Sequence, residues 1–189
     1  MYDIALFLHL VGVVLLVGAV TITVVAMLRV QTAASVAELR SLTAATKRTE
    51  IALAPAMLLI IGAGLYMVYL HDGIPWNAGW VWTSLAVTVI LIVIGNTAEA
   101  RDTKRLNGAI ASASDERPNA ELRQIQLASR PIYIVFFGAS QVVALLYLMT
   151  NKPDLAASLA TCVIAALASA IAASIRMRSV RRTQRVARS

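Results

Sequence analysis

The chain is 189 residues long, 59% hydrophobic and 14% charged, with a formal net charge of +7. A soluble domain carries about 25% charged residues and cannot hide this much apolar surface in one core, so the excess must face lipid. The basic surplus falls between and after the apolar blocks, as in membrane proteins, so no nucleic-acid partner is expected. Cys162 stands alone inside an apolar block, which excludes an internal disulfide and any Cys-x-x-Cys or Cys/His metal spacing.

The opening Met1-Tyr2-Asp3 lacks a basic n-region, and the apolar stretch behind it is too long for a signal sequence. It is read as a first span over Ile4–Leu28, closed by Arg29. Further spans are predicted over 51–70, 80–98, 131–149 and 155–175. Each has the ~20 apolar residues needed to cross a hydrocarbon core of ~30 Å. Pro131 suits a first helical turn, where its missing N–H costs nothing. Pro55 lies near the start of the second span, where it is tolerated or bends the helix mildly. The fifth block is rich in Ala and Ser but uncharged, and Arg176 closes it. The predicted fold is an all-α polytopic membrane protein, a bundle of five transmembrane helices over residues 1–175 with a basic tail over 176–189.

Orientation follows from the basic residues. Four lie in 29–50, six in 99–130 and six from Arg176 onward, against Lys152 alone on the other side. The positive-inside rule then places the N-terminus outside and the C-terminus in the cytoplasm. The expected location is a bacterial cytoplasmic membrane. Trp76, Trp80 and Trp82 gather at the outer interface, which agrees.

Two stretches between spans have helical spacing: Val36, Leu39 and Leu42, then Leu122, Ile125 and Ala128. Both are expected to lie along the inner interface as short amphipathic helices. The segment Asn107–Asn119, with its Gly, Ser, Asp and Pro residues, reads as a flexible loop.

His9 lies about five residues inside the first span, and an ionisable residue there is a functional candidate. His71 ends the second span at the outer surface, Met67 lies one turn deeper at the depth of His9, and Met149 ends the fourth span on the same side. A cluster of His9, His71, Met67 and Met149 is therefore topologically permitted, and imidazole and thioether are ligands of haem iron or copper. The plain account is that His9 hydrogen-bonds a neighbouring helix and that the methionines pack. Ala165, Ser169 and Ala173 form a small-xxx-small face, which packs helices within the chain or docks another protein. Gln141 is expected to bond across to a neighbouring helix. Glu50 and Glu99, near Lys47, Arg48, Arg101 and Arg130, read as an interfacial ion-pair cluster. No charged residue lies near the midplane, which counts against a pump with a carboxylate relay. The six arginines of the tail suit anionic lipid, at ~1 kcal/mol each near the surface. No nucleophile elbow, P-loop or His-Glu-x-x-His pattern is present, so no catalytic residues are assigned.

The opening Phe7-Leu8-His9-Leu10-Val11-Gly12, continuing to Leu15-Leu16-Val17-Gly18, resembles the start of a family of bacterial predicted integral membrane proteins of unknown function. Gly64-Leu65-Tyr66, Gly79-Trp80-Val81-Trp82-Thr83-Ser84-Leu85 and Leu146-Tyr147-Leu148-Met149 through Lys152-Pro153 are similar to the same family. The likeness covers the first four spans and implies a polytopic membrane fold with no known reaction. The Leu-His-x-x-Gly helix is shared more loosely with CopD-type copper-resistance proteins, which by analogy makes His9 the residue to test for copper. The leading expectation is a non-enzymatic accessory or scaffolding subunit, packing as a homo-oligomer or within a larger membrane complex. A haem- or copper-binding protein using His9 is the first alternative. A small-solute transporter is the second, although the odd span count and the absence of broken spans in matching halves speak against it.

Overall fold

A computed structural model describes residues 1–70, 76–113 and 116–186. Five helices are long and apolar enough to cross a membrane. They are built from α1 (Tyr2–Val30), α2 (Val36–Leu70), α3 (Gly79–Ile94), α4 (Ala100–Ala111), α5 (Ala120–Gln126), α6 (Ser129–Asn151) and α7 (Leu155–Val186). A π-helical turn, Gly95–Glu99, joins α3 to α4 without a break. No strand occurs among the described residues.

Helix α1 is apolar all round, so polarity cannot decide which face it buries; side-chain size does. Its buried residues are Ala5, His9, Gly12, Leu16, Ala19, Ala26 and Val30. Their steps, mostly of four and three, mark one packing face of the helix, turned toward α2. The pair is closest at Gly12, where a Cβ would lie 2.9 Å from Ile60 Cγ1 and 3.0 Å from the Ala56 carbonyl oxygen. The two backbones approach this far because Gly12 carries no side chain. Bulkier residues, such as Phe7, Leu10 and Val14, stand exposed toward lipid.

The α1–α2 pair and an α6–α7 pair meet through α1 and α6, and α3 lies against α6 and α7. At the start of α3, a Cβ on Gly79 would sit 2.5 Å from the Leu155 backbone. Gln141 donates to the Cys162 carbonyl at 3.1 Å, the expected bond to a neighbouring helix. The small-residue stripe of α7 turns inward: Ser169 and Ala173 are buried, and Ala173 packs with Ile132 and Met177. The stripe is used within the chain. Among the described residues, α2 and α3 do not pack along each other, although they are consecutive spans.

The basic end of the bundle has a core of its own, formed by Val30, Ala33, Val36, Leu39, Ile110 and Leu122. Two expectations change here. Val36 and Leu39 do not lie along a lipid interface; they open the 35-residue α2 and face Leu122 of α5. Packing against each other removes more apolar surface from water than two separate helices floating at an interface would. Nor is Asn107–Asn119 a loop throughout. Residues 107–111 complete α4, because Leu106 and Ile110, one turn apart, reach this core, where Ile110 is buried. Residues 114 and 115 lie outside the described residues. The core is tied by Gln126, which donates to the Val30 carbonyl at 2.9 Å, and by Arg123, which donates to the Ala33 carbonyl at 3.0 Å. Beyond the fifth span the tail continues as helix to Val186. Arg176 donates to the Leu28 carbonyl at 3.1 Å and to Gln31 Oε1 at 3.2 Å, placing a cation at the negative end of α1.

Candidate functional site

His9 is buried on the α1 seam, with its Nδ1 2.9 Å from the Ile60 carbonyl oxygen. A carbonyl only accepts, so Nδ1 carries a proton, and in the corresponding tautomer the lone pair lies on Nε2. The ring packs against Gly64, where a Cβ would stand 3.3 Å from both Nδ1 and Cε1. His9 thus clamps α1 to α2, and its polar contact is with Ile60 rather than with either methionine. Met67 is half-buried on α2, three residues beyond Gly64. Met149 lines a small apolar cavity of about 30 Å³ with Val13, Met57 and Ile60. His71 lies outside the described residues. Among the described residues, no three His, Cys, Asp or Glu side chains converge as a metal site would require.

The larger feature lies where α2 and α3 part. A cleft of about 1810 Å³ opens there, well above the ~300–1,000 Å³ of common small-molecule sites. Its back wall comes from α1 and α6, and its floor from α4 and α5. Toward the bundle centre the lining is apolar, with Leu16, Leu53, Met57, Leu91 and Val142. Toward the basic end come Glu50 of α2 and Glu99 of the π turn, then Lys47, Asp102, Lys104 and Arg105. Arg181 reaches the same lining from α7.

The π turn shapes this wall. One extra residue in a helix rotates everything after it by about 100°, and such turns gather at functional sites. Glu99 closes the turn, with a carboxylate oxygen 4.0 Å from where a Cβ of Gly95 would lie. Glu99 is half-buried, and its carboxylate neighbours are Glu50 and, about one turn farther toward the basic end, Asp102. The expected ion-pair cluster is not what is built. Among the described residues, neither Glu50 nor Glu99 forms an ion pair; Arg130 pairs instead with Asp102 at 3.5 Å. The second carboxylate oxygen of Asp102 is buried without a partner. Proximity in sequence therefore overstated the pairing of Glu50 and Glu99 with Lys47, Arg48 and Arg101.

Sequence reasoning missed the cleft because it depends on which helices are neighbours. One signal was present: Gly95 and Asn96, both weak helix formers, interrupt the run just before Glu99.

A family model described as a predicted integral membrane protein, DUF2269, matches residues 3–153. The chain belongs to the DUF2269 family. The match takes in four spans and most of the cleft wall, and leaves α7 of this DUF2269 chain beyond it. No curated protein and no solved structure matches the chain. No match extends to the CopD-type proteins.

Proposed function

We propose that this DUF2269 chain is a non-enzymatic membrane protein that binds an amphipathic small molecule, as a carrier or receptor, in the cleft between α2 and α3. The observation behind this reading is the cleft itself: apolar toward the bundle centre, charged at one end, and flanked by two consecutive spans that do not close on each other. Such a shape suits a molecule with an alkyl part and a polar head. By the distribution of basic residues, the charged end opens to the cytoplasm of a bacterial cell. A scaffolding role draws less support, since the small-residue stripe of α7 is occupied by the chain's own helices.

Gly138 supplies the test. It lines the cleft, and a Cβ there meets nothing within 4 Å, so this is the point of α6 at which a side chain can be added to the lining. Purified wild-type protein should gain thermal stability in the presence of single-chain amphiphiles. Saturation at a hundredfold excess over Kd is worth ~2.7 kcal/mol. Gly138→Leu should fold and lose that gain. A gain equal in both proteins would show that the amphiphile acts as detergent and would remove the reading.

A second reading, His9 as a haem or copper ligand, draws on one observation. The Ile60 carbonyl holds the tautomer that leaves Nε2 free to bind metal, the arrangement seen when a backbone carbonyl orients a ligating histidine. It predicts a visible absorption band or stoichiometric copper in protein purified from its native membrane, absent in His9→Ala. A colourless, metal-free wild type would leave His9 as a helix clamp.

A further inference from the structure

From the order of charges along the cleft we infer its ligand class: a single-chain amphiphile with an anionic phosphate head and a hydrogen-bond donor between head and tail, of the monoacyl glycerophosphate kind. This rests on the cleft reading above and specifies it.

The argument follows depth. Helix α2 runs away from the basic end, so Lys47 lies three residues, ~4.5 Å, closer to that end than Glu50. Helix α4 runs toward it, so Lys104 and Arg105 lie ~8–9 Å beyond Glu99. A molecule in the cleft therefore meets Leu53, Met57 and Leu91 first, then the Glu50 and Glu99 carboxylates, then Lys47, Lys104 and Arg105. An anionic group level with Glu50 would face a carboxylate that no cation pairs among the described residues. Placed one level lower, it meets cations from two helices. None of the three forms an ion pair among the described residues, and Arg181 adds a fourth cation from α7. The segment joining head to tail must then pass the carboxylates. Glu50 and Glu99 have no hydrogen-bond partner among the described residues, and Asp102 keeps one buried oxygen unsatisfied. The buried Asp102 oxygen calls for a donor, and a free glycerol hydroxyl next to the phosphate supplies one. A fatty acid has its charge directly on the chain and would set it against the carboxylates. A diacyl lipid has no free hydroxyl at the corresponding position.

The experiment is equilibrium binding of four probes to purified full-length protein: oleoyl lysophosphatidic acid, oleoyl lysophosphatidylcholine, monooleoylglycerol and oleic acid. Wild type, Gly138→Leu and the double variant Lys104→Gln/Arg105→Gln are compared at equal detergent concentration. Lysophosphatidic acid should bind wild type at least tenfold more tightly than the other three probes. The double variant should lose most of that preference while still binding monooleoylglycerol as wild type does. Equal binding of all four probes, abolished by Gly138→Leu, would overturn the phosphate inference and leave the cleft reading standing. Binding insensitive to Gly138→Leu for every probe would overturn both.

Discussion

Lys152 ends α6 in the left-handed region, at φ 48° and ψ 51°, with its N–H bonded to the Leu148 carbonyl. A side chain there costs ~1 kcal/mol or more that glycine would not, and glycine is the usual residue at such a helix end. Lys152→Gly should therefore raise the thermal unfolding temperature in detergent; a fall would show that the lysine side chain contributes more than its backbone costs. Gly79→Ala should act the other way, because its methyl would meet the Leu155 backbone. That substitution should lower the unfolding temperature by several degrees, and an unchanged value would mean that α3 and α7 separate readily. At this scale the sequence was informative for residues whose chemistry is unusual in lipid. His9 and Gln141 stand out because a polar group in hydrocarbon needs a partner, and each has one on a neighbouring helix. The role of Lys152 was hidden, since a lysine after a span reads equally well as a topology signal.

Among the elements, the spans were legible because lipid demands an apolar run of set length. Their ends were not. Helix α2 begins at Val36, α4 extends α3 to Ala111, and α7 runs to Val186, since in each case polar sequence remains helical beyond the bilayer. The π turn leaves hydropathy unchanged, and only the weak helix formers Gly95 and Asn96 marked its place. Helix α5 matters most to the basic end: its Leu122 is 1% exposed within the core formed by Val30, Val36 and Ile110. Removing most of such a buried side chain costs ~2–5 kcal/mol. Leu122→Ala should therefore expose residues 112–128 to limited proteolysis while the five spans remain inserted. An unchanged cleavage pattern would indicate that α5 is held by Gln126 and Arg123 alone.

For the molecule as a whole, sequence supplied the number of spans, but not the order of helices around the bundle. Lipid-facing and buried residues in α1 are equally apolar, so periodicity carries little information about neighbours. The cleft follows from that hidden order, since it exists because α2 meets α1 and α4 while α3 meets α6 and α7. Sidedness is open to a direct check. Reporter fusions at Ser189 and Lys152 should report opposite sides of the membrane, with Ser189 cytoplasmic; a shared side would overturn the topology and with it the assignment of the cleft to the cytoplasmic leaflet. The central claim concerns what the cleft holds, and native mass spectrometry of protein extracted from its own membrane addresses it most directly. The account predicts a single-chain amphiphile retained by the wild type and missing from Gly138→Leu under identical extraction. A wild type that carries no amphiphile, or one that Gly138→Leu retains equally, would contradict it.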